Sequence, residues 1–239
     1  MADVTNRGGK EALIAKAVSK EFSRFRLMLL GIIPLLEVWM IDIAPELWIE
    51  HAKNLRSGII PVLTAIFFNQ VETEVEDFEI VGIDWSQAHQ DAMDWAEGYT
   101  TRTLVPDMLQ TEKNALAKYI PKYFEEGWTQ KQLNDALLKP FGIARAATVG
   151  ITETTRSAVE GRINWANRIM DQGIELIPFW LTAVDDLVCD ICRPMENQPG
   201  VYNEQGRPVF HHPATGVLME PPPYGSHPRC RCDIGHEMA

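Results

Sequence analysis

Through most of the first 170 positions, apolar residues recur at three- and four-residue steps, the period of helices that bury one face. Over residues 11–30, Leu13, Ile14, Ala17, Phe22, Phe25 and Leu29 mark one such stripe. A second helix is expected after Pro34, with Trp39, Ile43, Leu47 and Trp48 on its stripe; Pro45 implies a break or a fresh first turn. Ser57 and Gly58 suggest a turn, after which residues 61–75 read as a further helix. That helix ends in the acids Glu72, Glu74, Glu76 and Asp77, expected to form a charged solvent face.

Residues 78–83 alternate too briefly to specify a strand. Asp84 is placed to cap a helix carrying Ala88, Ala92, Trp95, Ala96 and Tyr99, and Pro106 or Asp107 to begin the next. Thr129 caps a short helix packed through Leu133, Ala136 and Leu137. After Pro140, Phe141 and Gly142, residues 143–170 fit one long helix, in which Gly150 and Gly161 mark close helix contacts or bends. Polar Thr152, Glu153, Thr154 and Arg156 suggest a network between helices in preference to a functional site.

The pattern changes after Gly173. Residues 174–184 read as a strand, and residues 200–210 as a hairpin with its loop at 203–206. Residues 211–226, rich in Pro and His, have little to order them, and His211, His212 and His236 read as loop or tail residues, although His212 could approach the cysteines if the hairpin folds back. The expected fold is α+β and predominantly helical. An N-terminal helical region spans residues 1–80; a second unit, 81–239, comprises a helical part (81–173) and a small C-terminal module of short strands (174–239).

Composition narrows the functions available. The 239 residues carry a net charge of -11. Residues 71–138 hold fourteen acids against five bases, whereas residues 1–70 hold seven against eight. A protein that grips a phosphate backbone needs clustered cations, and Arg229 and Arg231 form only a small pair, expected to be solvated or internally paired. The longest apolar run, residues 27–36, is too short to cross a hydrocarbon core of about twenty helical residues. It suits a buried helix or a subunit contact, and no membrane span is expected.

All four cysteines fall in the last quarter of the chain. Cys189 and Cys192 form a Cys-x-x-Cys pair, and His227, Cys230 and Cys232 follow after thirty-four residues. Five soft or borderline donors are thus on offer for the four places of a tetrahedral metal shell. Without a basic-then-apolar leader near Met1, thiols are expected to stay reduced, so a structural metal site is preferred over two disulfides, and disulfides over unrelated thiols. The favoured set is Cys189, Cys192, His227 and Cys230, with Cys232 competing for the last place; on a strand, Cys230 and Cys232 would share a face. A catalytic centre fits less well. The upstream His51 and His89 lack the glutamate of a deaminase H-x-E, leaving Glu153, Asp185 or Asp186 as the carboxylates of a rival zinc-dependent hydrolase or nucleic-acid-processing enzyme.

The stretch from Leu181 to Cys192, with Thr182 and Asp185 ahead of the cysteine pair, and the stretch from Pro221 to Cys232, with its His-Pro-x-Cys-Arg-Cys ending, resemble phage Mu F-like head morphogenesis proteins. Upstream, Gly127 to Thr129, Arg145 to Thr148 and Ile151 to Thr154 resemble the helical part of the same domain, so that the likeness covers roughly residues 85–236. At residues 148–151 the chain departs from the Ile-Ala-Arg expected before the Thr-Glu pair. The resemblance implies a minor head protein rather than an enzyme, located in the virion head and, during assembly, in the host cytoplasm. It would dock on portal or major capsid protein, with possible homo-oligomers and transient contact with packaged DNA. Its C-terminal module would be clasped by zinc.

Overall fold

A computed structural model describes residues 7–36, 43–78, 82–183 and 188–239. The protein is α+β and predominantly helical, with a small C-terminal sheet region. Its helices are α1 (Gly8–Ile32), α2 (Pro45–Asp77), α3 (Trp85–Tyr99), α4 (Val105–Glu125), α5 (Gln130–Phe141) and α6 (Ile143–Met170). None of them is long and apolar enough to cross a membrane.

Local signals set several of these boundaries. Asp84 accepts a hydrogen bond from the Gln87 amide at the start of α3. Thr129 and Gln132 form a reciprocal capping box at α5. Pro45 occupies the first turn of α2, where its missing N–H costs nothing.

The turn expected at Ser57 and Gly58 does not form, and α2 runs unbroken through both residues and through Pro61. Packing overrides the local signal here: a Cβ on Gly58 would come within 3.2 Å of the Ala17 Cβ, so the glycine lets α1 approach closely. The stripe residue Trp39 and residues 79–81 of the 78–83 alternation lie outside the described residues.

Helix α6 is the axis of the molecule. Its Ala146 and Ala158 join the core built by α1, α2, α4 and α5; Trp165, Ala166 and Ile169 join a second core with Phe67, Val71 and Ala92; Val159 and Ile163 face the C-terminal module. A helix buried on every side needs small residues, and its glycines mark close contacts rather than bends. A Cβ on Gly150 would lie 2.6 Å from the Glu11 carbonyl of α1, and one on Gly161 2.6 Å from the Phe67 carbonyl of α2.

Strands β1 (Leu176–Leu181) and β5 (Asp233–Met238) pair antiparallel, with Leu181 opposite Asp233. Strands β2 (Gly200–Tyr202), β3 (Pro208–His211) and β4 (Leu218–Met219) form a separate antiparallel sheet. The hairpin loop between β2 and β3 falls where the sequence places it. Residues 211–226 are more ordered than expected: Leu218 pairs with His211, and the His212 amide bonds to the Val217 carbonyl.

Two polar expectations are corrected. Glu74 is buried and pairs with the buried Arg162 of α6, so the acidic end of α2 is not wholly a solvent face. His236 belongs to β5 and is buried, stacking on Tyr202 and lying 3.8 Å from Glu74.

Candidate metal centre

The turn after β1 carries the first two donors. Cys192 and Arg193 direct their amides to the Cys189 carbonyl, and the Cys192 amide also lies 3.4 Å from the Cys189 sulfur, a knuckle that turns both thiols the same way. The remaining donors lie on the irregular stretch ahead of β5. Contrary to the strand geometry considered for them, Cys230 and Cys232 precede the strand, yet both are buried.

The structure brings all five residues together. Cys189, Cys192 and His227 form one group with ligand atoms within 4.8 Å of one another; Cys192, Cys230 and Cys232 form another, so Cys192 is shared. All five line a cavity of about 20 Å³, closed by Ala183, Val188, Arg229 and Arg231. That is room for one ion or one water. The four cysteines are free thiols.

Hydrogen bonds prepare the donors. His227 Nδ1 lies 2.7 Å from the Pro228 carbonyl and donates to it, which leaves Nε2 as the lone-pair nitrogen, 2.9 Å from Cys189 Sγ. Burial pushes the Cys189 thiol up, but the amides of Cys192 and Ile191 and the nearby His227 outweigh it and hold the thiol below its ordinary range. Burial pulls His227 down, and the Pro228 carbonyl with the Cys189 and Cys230 sulfurs more than restores it.

Cys192 Sγ and Cys230 Sγ are 3.7 Å apart. Hydrogen bonds from Cys192 and Cys232 draw Cys230 far below the usual thiol range, and the same crowding pushes Cys192 upward and Cys232 to about 12. A cation replacing the thiol protons would let all three sulfurs ionise. The cluster has the donors and spacing to hold a metal ion.

Helices brace the donor loop. The Arg229 amide donates to Thr152 Oγ1 at 2.9 Å, and Thr155 Oγ1 donates to the Cys230 carbonyl at 2.7 Å. The Arg231 guanidinium makes two bonds to Glu11 of α1, at 2.9 and 3.0 Å, so it is paired rather than offered to a phosphate. Two residues on, buried Asp233 pairs with both Arg7 and Arg162. Of the network anticipated between helices, Glu153 and Arg156 link to Tyr99 of α3, while the Thr154 hydroxyl has no partner among the described residues; the contact of Thr152 with the donor loop could not be read from the sequence. Threonines three apart on one helix were its only trace.

Of the carboxylates considered for catalysis, only Glu153 lies among the described residues. Asp185 and Asp186 lie outside the described residues. Glu153 is buried, accepts bonds from the Tyr99 hydroxyl at 2.8 Å and from Arg156 at 3.0 and 3.1 Å, and does not line the cavity. Burial raises its carboxyl to about 8, reinforced by Asp107. Among the histidines, His211 and His212 join neither donor group, and His51 is buried between Glu21 and Glu112 in the helical core.

No protein-family model, curated protein or solved structure matches this chain.

Proposed function

We propose that the chain is a phage minor head protein of the Mu F-like kind, a structural component of the virion rather than an enzyme. The observation that carries this reading is the convergence of the signature's donors: the Cys-x-x-Cys pair and the His-Pro-x-Cys-Arg-Cys stretch meet around one ion-sized cavity. Zinc is the metal that suits it best. Thiolate and imidazole donors favour tetrahedral zinc, and zinc–sulfur bonds of about 2.3 Å imply sulfurs about 3.8 Å apart. The 3.7 Å between Cys192 and Cys230 agrees with that edge. Bound there, zinc would supply cross-linking rather than chemistry.

Docking on portal or capsid subunits requires exposed apolar surface, and the helical region offers it. A groove of about 810 Å³ between α2 and α4 is floored by Trp48, Ala52, Leu116 and Ile120, and flanked by Arg56 and Lys113. Leu27 and Leu35 are also exposed. The acidic balance leaves contact with packaged DNA a minor, transient role. Co-purification with portal protein and detection in virions test the reading, together with elemental analysis for one zinc per chain. Absence from both procapsids and virions would refute the head-protein role. Zinc-dependent turnover lost on mutating Asp185 or Asp186 would favour a hydrolase instead.

A further inference from the structure

A knuckle that folded around its ion by itself would need nothing from the rest of the chain. Here the donor loop is fastened at consecutive residues to α6. Thr155, wholly buried, gives its hydroxyl proton to the carbonyl of Cys230. Thr152 gives its own to the Thr148 carbonyl at 2.8 Å, and so keeps a lone pair fixed toward the Arg229 amide. Arg229 stands at φ 68°, a left-handed conformation that side chains other than glycine rarely adopt. The hydroxyls hold the backbone on both sides of that turn, and the turn aims Cys230 at Cys192.

We infer that Thr152 and Thr155 are positioning residues for the metal centre, fixing Cys230 in its binding geometry and coupling metal loading to the packing of α6. The inference rests on the cluster being a metal site. Because α6 packs on α1 and α2 through Gly150 and Gly161, the coupling extends to the helical body. It is reciprocal: what holds α6 in place favours the ion, and the ion favours the helical packing.

The full chain, reduced and metal-free, is titrated with Co²⁺, and Zn²⁺ affinity is read by competition with a chromophoric chelator. Thr155→Val keeps the shape and removes the donor. It is expected to weaken binding roughly 10–100-fold, the usual effect of losing a partner outside the ligand shell, and to shift the Co²⁺ absorption bands while one ion per chain still binds. Thr155→Ser restores both affinity and spectrum. Thr154→Val is the control, because Thr154 is equally buried and its hydroxyl has no partner among the described residues; its affinity stays at the wild-type value. Zn²⁺ also raises the helical unfolding midpoint, by less in Thr155→Val than in wild type. Should Thr155→Val not fold, Thr152→Val carries the same test through Arg229. Equal affinities in wild type and Thr155→Val, or an equal loss in Thr154→Val, overturn the inference. A wild-type chain that takes up neither ion overturns the metal reading itself, and the two failures are distinct.

Discussion

His51 Nε2 lies 2.9 Å from the carboxylate of Glu112, with both side chains wholly buried, and its Nδ1 lies 2.7 Å from Glu21. Each contact needs a hydrogen between its heavy atoms, so the three groups hold two protons. Phe25 stacks on the imidazole at 3.9 Å between ring centres, Arg24 pairs with Glu21, and the charge of Arg145 bears on Glu112.

Burial lowers the His51 pKa, but Glu112 and Glu21 more than reverse it, and burial raises Glu112. A group whose folded pKa is raised contributes stability below its unfolded pKa and loses that contribution as pH rises through the folded value. Stability is therefore expected to fall as pH climbs above about 6.5, the ordinary value for His51. Glu112→Gln, which keeps a hydrogen-bonding partner, should flatten this slope; His51→Leu should cost about 3–5 kcal/mol by stranding two carboxylates. Urea midpoints measured against pH for the three proteins check both. An unchanged slope in Glu112→Gln would count against shared protons.

Cys192 belongs to both donor groups, whereas His227 and Cys232 each belong to one. Cys192→Ser should thus weaken Zn²⁺ binding on the order of 100-fold, about a quarter of a total near 10 kcal/mol. Removing His227 or Cys232 alone should cost much less, since the other can complete the shell. Chelator competition on the three variants decides the order, and equal losses in all three would exclude a spare donor.

Arg162 is the cation shared by Glu74 and Asp233 in the contact between α2, α6 and β5. Arg162→Leu leaves two buried carboxylates, with Arg7 the one cation still paired with Asp233 among the described residues. A loss of about 3–5 kcal/mol is expected by chemical denaturation. Arg168, more exposed and paired with Asp91, should cost about 1 kcal/mol or less when replaced by alanine.

Glycine-to-alanine changes should split by sign. Gly31, near the end of α1, has no neighbour within 4 Å of an added Cβ among the described residues, so alanine should stabilise by up to about 1 kcal/mol through helix propensity. At Gly150 and Gly161 the added methyl would meet carbonyl oxygens at 2.6 Å, and forcing the helices apart should cost about 1–3 kcal/mol. Thermal melts of the three variants read the signs directly. A stabilised Gly161→Ala would mean that α2 and α6 are not held at this separation.

Much of the architecture was legible because its causes are local. The caps at Asp84 and Thr129, the span of α6 and the β2–β3 hairpin rest on neighbours within four residues or on a repeating period. Where a distant partner intervened, local reading failed. Ser57 and Gly58 carry a turn signal that α1 overrides by packing against Gly58. Glu74 and His236 look like surface residues until Arg162 and Tyr202 are placed beside them.

The sequence by itself determined the helical periods, the number and kind of metal donors and the acidic balance that disfavours phosphate binding. Only the tertiary structure decided that all five donors converge, that Cys192 is their common member, and that α6 and α1 hold the loop. The reason is separation along the chain. Thr155 and Cys230 are 75 residues apart, and Arg231 and Glu11 are 220 apart. A period of 3.6 residues specifies which face a side chain occupies, but not which distant residue meets it there.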